Sequence, residues 1–344
     1  MRVLVEDASP GAGGALTSLA ALAEVLEGRG HQVRVLASSR EAARACGLDA
    51  RPLDDGDGSF AARVGYRVVS LLREARRFKP DVLLANNAPA PNLACAIVAR
   101  ALDIPRIQYV RGAFHNGQLA RTVLSDATAV FAVGGEVHAL LPQAIRLSEG
   151  LSRSQWPSPR HAHTSRRFWC STLTPWKGIS LLRSALHQVP GEGADVCAAD
   201  LLAWGSPQSI EGHWAPGCEV HRNASQELID GLRARCGIYV HTSLQPEPFG
   251  RSVLESMAAG LCPLVPDEGG PAEFVMHEGN GLHYQARSQE SLVHALQRLD
   301  ASPALREHLG SKAAESARSF QAGLVFEPVV RALLGCEASA RRVA

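Results

Sequence analysis

The 344-residue sequence has almost no net charge: 35 Lys and Arg stand against 34 Asp and Glu, a formal balance of +1. That balance excludes the broad basic footprint of a nucleic-acid-binding chain, so any anion site must be local. The eight cysteines, Cys46, Cys95, Cys170, Cys197, Cys218, Cys236, Cys262 and Cys336, form no CxxC pair, and no His cluster falls at zinc-finger spacing. Common structural zinc modules are thereby excluded, and buried free thiols are expected. No apolar run reaches about 18 residues, so no membrane-spanning helix is expected. The opening MRVLVEDASPG lacks the apolar stretch of a secretory signal, which predicts a soluble, cytoplasmic protein. No repeat or low-complexity segment stands out. What is present, 46% hydrophobic and 20% charged residues, is the composition of a globular chain with material for about two domains.

The hydrophobic pattern predicts alternating strands and helices. Residues 2–6 read as a strand, 7–14 as a Gly-, Pro- and Ser-rich loop, and 15–29 as a helix, with Leu16, Leu19, Ala20, Ala23 and Leu26 on one face. Gly30 caps that helix and a second strand follows at 32–37. The alternation continues through a helix at 61–78, a strand at 81–85, a helix at 91–102, and strands at 106–110 and 128–133. Such alternation implies a parallel sheet covered on both faces. Residues 148–167, with Pro157, Pro159 and little apolar periodicity, read as a connection. The grammar then restarts: strand 167–171, helix 179–188, strand 200–204, helix 226–236, strand 238–241, helix 251–259, strand 262–265, and closing helices at 288–299 and 304–320.

Several motifs could carry chemistry. Gly11, Gly13 and Gly14 lie between a strand and a helix, where exposed N–H groups and the helix dipole favour a phosphate. A loop that merely turns tightly explains the same glycines. A dinucleotide fingerprint is absent, because Leu16 holds the sixth position, where close packing wants Gly or Ala. Asp55-Gly56-Asp57 spells a DxD but sits in a turn with no strand leading into it, and His161 and His163 lack partners at ligand spacing. No metal site is expected. The densest signal is SLQPEPFGRSVLESMAAG over 243–260, followed by PDEGGPAE over 266–273. It sets Glu247 in a loop and Glu255 about one turn into a helix, so two carboxylates and a run of free N–H groups can converge.

This combination resembles the retaining GT-B glycosyltransferases, the large group with the Glu-x7-Glu motif. That group includes sucrose- and trehalose-type synthases and many bacterial cell-surface and natural-product transferases. Glu247, Phe249, Gly250, Glu255, Met257, Ala258 and Gly260 match the pattern E-x-F-G-x-x-x-x-E-A-M-A-x-G, with Ser256 in place of a common Ala. The Gly13-Gly14 loop, the stretch from Leu22 to Leu36, the strand ending at Val133, Pro175-Trp-Lys177-Gly178, Gly269–Glu273 and Gly279–Leu282 resemble further landmarks. The likeness spans most of residues 1–320.

The resemblance implies an α/β protein of two Rossmann-like domains facing a central cleft. Residues 1–150 would bind the acceptor, 151–166 connect, 167–325 bind a nucleotide-sugar, and 326–344 form a tail. It further implies that Lys177 binds the donor diphosphate together with the backbone from Phe249 through Gly250 and Arg251 to Ser252. Glu255 would accept from the ribose hydroxyls, Glu247 would touch sugar hydroxyls near the reacting carbon, and Gly13 and Gly14 would let an amide approach the phosphates. Trp176 and Phe249 also fit as packing residues.

Two positions depart from the family pattern. Thr172 stands where the family places an Arg, with Arg166, Arg167 or Arg251 as replacements. In the loop after the fourth strand the family often has a His, where alignment places Arg111 with His115 nearby. Arg111 fits a phosphate contact or acceptor recognition, and His115 a catalytic or a solvated role.

The implied activity is glycosyl transfer from a nucleotide-diphosphate sugar to an acceptor hydroxyl, retaining and metal-independent, with no cofactor. A nucleotide-sugar epimerase or hydrolase on the same fold and a catalytically degenerate partner subunit are the alternatives. The basic segments 73–79 and 160–167 could touch anionic lipid or form solvated faces. Oligomeric state is left open.

Overall fold

The computed structural model describes residues 1–343 except 10, 12, 55, 57, 113–116, 160–163 and 200–211. It divides into two compact units, Met1–Ser152 with Gln321–Ala344, and Arg153–Phe320.

The first unit runs β1 (Arg2–Asp7), α1 (Gly14–Gly28), β2 (Gln32–Ala37), α2 (Arg40–Ala45), β3 (Ala50–Pro52), α3 (Phe60–Phe78), β4 (Val82–Asn86) and α4 (Leu93–Leu102). It continues with β5 (Arg106–Val110), α5 (Gln118–Ser125), β6 (Ala129–Val133), α6 (Gly134–Leu140) and β7 (Ile145–Leu147). The strands form one sheet in the order β3-β2-β1-β4-β5-β6-β7. Val3 of β1 pairs in parallel with Val33 on one side and Val82 on the other. Helices cover both faces of such a sheet, which is why its central strands read as nearly unbroken apolar runs. Leu4, Leu71, Leu83 and Val98 build one core cluster between the sheet and α3–α4.

The second unit contains β8 (Arg167–Thr172), α7 (Ile179–Gln188), β9 (Ala194–Ala199), β10 (Glu219–Arg222), α8 (Gln226–Ala234) and β11 (Ile238–Val240). After these come α9 (Arg251–Ala258), β12 (Cys262–Pro266), α10 (Gly270–Phe274), β13 (Leu282–Tyr284), α11 (Gln289–Ala301) and α12 (Pro303–Ala317). Its six parallel strands are ordered β10-β9-β8-β11-β12-β13. Trp169, Leu182, Val196, Val240, Leu264 and Leu296 fill its core. Helix starts follow local chemistry: Ser288 and Ser302 each accept a backbone N–H of the first turn, and Pro303 presets the first residue of α12.

Some expectations need correction. The strand expected at 200–204 lies outside the described residues, as do Asp55, Asp57, His161 and His163, and the observed strand in that part of the chain is β9. Its sequence ADVCAA offers one β-branched residue among small ones, and its first five residues are all buried, so it gives little periodic signal. Strands β3, β7 and β13, three residues each, are too short for alternation to register. The segment expected as a tail at 326–344 is largely helical. After α13 (Ala322–Val325), α14 (Glu327–Val343) continues the chain, and Phe326, Val329, Val330 and Leu333 are buried at helical spacing. Phe326 lies 6.5 Å from Tyr109, ring edge to ring face, so this helix belongs to the core of the first unit. All eight cysteines are free. Among the described residues no helix is long and apolar enough to cross a membrane.

Removing the Phe326 ring leaves a cavity against Tyr109. Phe326→Ala is expected to lower stability by about 3–5 kcal/mol in denaturant unfolding of the first unit's transition. Leu324→Ala, at a position 63% exposed, should stay within about 0.5 kcal/mol of wild type.

Candidate functional site

In the second sheet the chain builds outward in one direction from β8 to β9 and β10, then returns to place β11 on the other side of β8. Connections that diverge at such a point leave a crevice at the carboxyl ends of the two strands. The segments that follow β8 and β11 there are the 3₁₀ turn Pro175–Lys177 and the loop over 241–250.

These two segments are bonded to each other. Trp169 Nε1 donates to Thr242 Oγ1 at 2.9 Å, Thr242 Oγ1 donates to the Lys177 carbonyl at 2.9 Å, and Leu244 N donates to the Trp176 carbonyl at 2.6 Å. Gly178 sits at φ +70°, where a Cβ would lie 1.9 Å from the Thr242 carbonyl oxygen, so no larger residue permits this approach.

Lys177 Nζ therefore reaches Glu247 Oε1 at 2.6 Å while lying 4.1 Å over the Trp176 ring. The other carboxylate oxygen accepts from Ser243 Oγ at 3.1 Å and lies 3.0 Å from His241 Nε2. The Glu247 side chain is only 16% exposed. Burial pushes its pKa up, yet the adjacent Lys177 charge and His241 outweigh burial and hold it below the ordinary carboxylate value. Lys177 and Glu247, singled out separately in the sequence, form one charged pair.

The next element is α9. Gly250 caps it at φ +93°, with Pro271 Cγ 2.6 Å from where a Cβ would stand. The first-turn N–H groups of a helix have no intrahelical acceptor, and the dipole makes this end positive. Phe249 packs its ring, stacked on Phe274 at 4.9 Å and edge-on to Phe320 at 6.0 Å, so its side chain anchors the loop. Ser252 Oγ accepts from Tyr239 at 2.7 Å. Glu255 Oε1 lies 3.1 Å from Arg251 Nε, and Glu255 Oε2 accepts from Arg233 at 3.1 Å. Each carboxylate oxygen keeps further acceptor capacity beyond one such contact.

Arg166 and Arg167 do not fill the place of the missing Arg at Thr172. They stand at the opening end of β8, with Arg166 on Asp195 at 2.8 Å and Arg167 on Asp300. Six residues of strand separate that end from the carboxyl end, roughly 17 Å. Arg251, which also donates to Gln155 at 2.7 Å, is the remaining one of the three.

In the first unit Gly13 is exposed and precedes α1, which begins at Gly14. Arg111 is buried after β5, with Nη1 2.9 Å from both oxygens of Glu149 and 2.5 Å from Ser18 Oγ, its Nε donating to Asn86 and its guanidinium 3.7 Å from the centre of the Tyr109 ring. It is thus held within a buried network of the first unit. His115 lies outside the described residues. Sequence reasoning missed His241, Arg233 and Glu149. Of these only His241, at the end of a recognisable strand and six residues before Glu247, stood where a signal could be read.

The two parallel α/β units have the GT-B glycosyltransferase fold. The chain matches the family model of glycosyl transferases group 1 over residues 168–316, and that of glycosyltransferase family 4 over residues 12–151. One match falls in each unit: the second unit is similar to the glycosyl transferases group 1 and the first to glycosyltransferase family 4. Among solved structures it is similar to Anabaena Alr3699/HepE in complex with UDP and glucose, with TM-score 0.79 and 18% identity, over 97% of this chain and 100% of that one. It is similar to a glycosyltransferase from Rickettsia africae, with TM-score 0.78, 14% identity and 97% and 98% coverage. Sucrose-phosphate synthase from Thermosynechococcus elongatus gives TM-score 0.76, 15% identity and 99% and 98% coverage. No curated protein sequence matches the chain significantly.

The lowered Glu247 pKa has a testable consequence. A group whose folded pKa lies below its unfolded value adds stability above that unfolded value and loses it as pH falls. Wild type is therefore expected to melt at a higher temperature than Glu247→Gln above about pH 5, with the gap closing as the pH drops below the ordinary glutamate value of 4.5. A gap that is independent of pH between 3 and 7 would exclude the charged pair as its source.

Proposed function

We propose that this glycosyltransferase moves a sugar from a nucleoside diphosphate donor to an acceptor hydroxyl with retention of configuration and without a metal ion. The observation that carries the reading is the meeting of Lys177 and Glu247 beside the positive end of α9. A departing diphosphate needs positive charge where its own negative charge grows. Lys177 supplies a full charge there and the start of α9 a partial one, exchanging the Glu247 carboxylate for phosphate oxygens. Glu247, charged and fixed by Ser243 and His241, accepts from sugar hydroxyls, and Glu255 accepts from the ribose. The acceptor oxygen then joins the anomeric carbon on the face the nucleoside diphosphate leaves, and its proton passes to the departing phosphate oxygen. In this reading the second unit holds the donor and the first unit supplies acceptor contacts.

The similar Anabaena Alr3699/HepE, solved in complex with UDP-glucose, makes UDP-sugars the first donors to try. A second reading, a donor-binding subunit without turnover, is favoured by Thr172 in the place of the family's Arg.

Calorimetry with UDP, GDP, ADP, TDP and their sugars, with magnesium and with EDTA, tests the site. One nucleotide is expected to bind equally well under both conditions. Glu255→Ala should weaken it by about 1.5–3 kcal/mol, roughly 10- to 150-fold. Unchanged affinity in the folded variant would remove Glu255 from the donor site. With an acceptor in hand, Lys177→Ala is expected to lower kcat more than it raises KM, because its charge acts on the leaving group in the transition state. Binding without product across donors and acceptors supports the second reading.

A further inference from the structure

The carboxylate of Glu255 is held from two directions. Its Oε1 lies 3.1 Å from Arg251 Nε, one turn earlier on α9, and its Oε2 accepts at 3.1 Å from Arg233 Nη2 on the neighbouring helix α8. Arg233 is a buried residue, with its side chain 2% exposed. Its Nη1 donates to Asp230 at 2.7 Å, and its guanidinium lies 5.6 Å from the centre of the Phe168 ring on β8. Among the described residues its buried Nε has no acceptor. Burying a cation with one donor unsatisfied is costly, and an apolar side chain of similar length would fill the same space without that cost. Packing of α8 on the sheet therefore gives no reason for an arginine at 233; the carboxylate it holds does.

We infer, for a donor bound as proposed above, that Arg233 is a positioning residue: by holding Glu255 it lets the carboxylate accept from both ribose hydroxyls at once, and so makes the site select ribonucleoside diphosphates over their 2′-deoxy counterparts. A glutamate held only from its own helix keeps freedom about its side-chain torsions. A second guanidinium, anchored on another helix, restricts that freedom. Each carboxylate oxygen gives one acceptor position to an arginine and keeps another, and Glu255 retains 19% exposure through which hydroxyls on adjacent carbons can reach it. A carboxylate free to turn follows whichever hydroxyl is present and discriminates little. A fixed one is left with an unpaired acceptor when the 2′-hydroxyl is missing, and sites built to bond a hydroxyl strongly reject analogues without it.

The test is calorimetry of the whole protein with UDP and 2′-deoxy-UDP, GDP and 2′-deoxy-GDP, and ADP and 2′-deoxy-ADP, comparing the two members of the pair whose ribo form binds. Wild type is expected to prefer the ribo form by about 10-fold or more. Arg233→Met, which fills the space against Phe168, should weaken the ribo form and leave the deoxy form nearly unchanged, so that most of the preference is lost. Arg233→Lys keeps a point charge in place of the planar fork and should show an intermediate ratio. Unfolding curves check both variants, and the lysine variant carries the test if the methionine variant does not fold. Equal binding of the two forms by wild type overturns this role, as does a wild-type ratio in either folded variant, including one that weakens both forms equally. Glu255→Ala separates that result from failure of the donor site. Loss of the preference in Glu255→Ala with its retention in Arg233→Met overturns the role of Arg233 alone, whereas a wild-type ratio in Glu255→Ala, or no nucleotide bound by wild type, overturns the ribose assignment with it.

Discussion

Parallel strand pairing is the constraint on which this protein depends. When every strand in a sheet points the same way, each connection must cross back outside the sheet, and all segments that follow the strands emerge along one edge. Where the order of strands reverses, two such segments diverge. In the second unit that reversal lies between β8 and β11, and the pieces it exposes are the turn that bears Lys177 and the loop that bears Glu247. The chemistry is placed by the hydrogen-bonding polarity of a sheet in which β11 and β12 are buried throughout. The bonds from Trp169 to Thr242 and from Thr242 to the Lys177 carbonyl then convert that coarse placement into a defined pair.

Charges in this molecule fall into two kinds, distinguished by what surrounds them. Asp195 is fully buried and faces Arg166 at 2.8 Å and Arg235 at 2.5 Å. Those cations and hydrogen bonds outweigh burial and lower its pKa to about 2. Arg111 with Glu149 is likewise enclosed. Such pairs do little for net stability, since removing two ions from water offsets most of their attraction, but losing one partner strands the other. The pair of Lys177 and Glu247 is different in position: each side chain keeps some exposure, 12% and 16%, at the edge where strands end. A partner that can be exchanged for a phosphate at small rearrangement suits a binding site better than a sealed ion pair.

How much was readable beforehand depended on sequence separation. The motif from Glu247 to Gly260 is local: the loop, the Gly250 cap and the helix that carries Glu255 are encoded within 14 consecutive residues, and their spacing on a helix follows from its geometry. Alternating apolar segments likewise announced two α/β units. By contrast Arg111 meets Ser18 across 93 positions and Glu149 across 38, and Arg233 meets Glu255 across 22. Nothing in the composition near any of these residues marks its partner. The arginines at 166 and 167 failed as replacements for the same reason, because nearness in the chain to Thr172 does not compensate for the length of a strand.

The sequence by itself determined the class of architecture and the residue types of the donor motif, because helix and strand periodicities, glycine caps and short motifs are properties of neighbours along the chain. Only the tertiary structure decided which charges belong together. It paired Lys177 with Glu247 across 70 positions, brought His241 to the same carboxylate, enclosed Arg111, and drew the last helix into the first unit through Phe326. Those outcomes rest on long-range packing and on strand order, where partners are selected by the burial of whole elements and by the need to satisfy every buried charge.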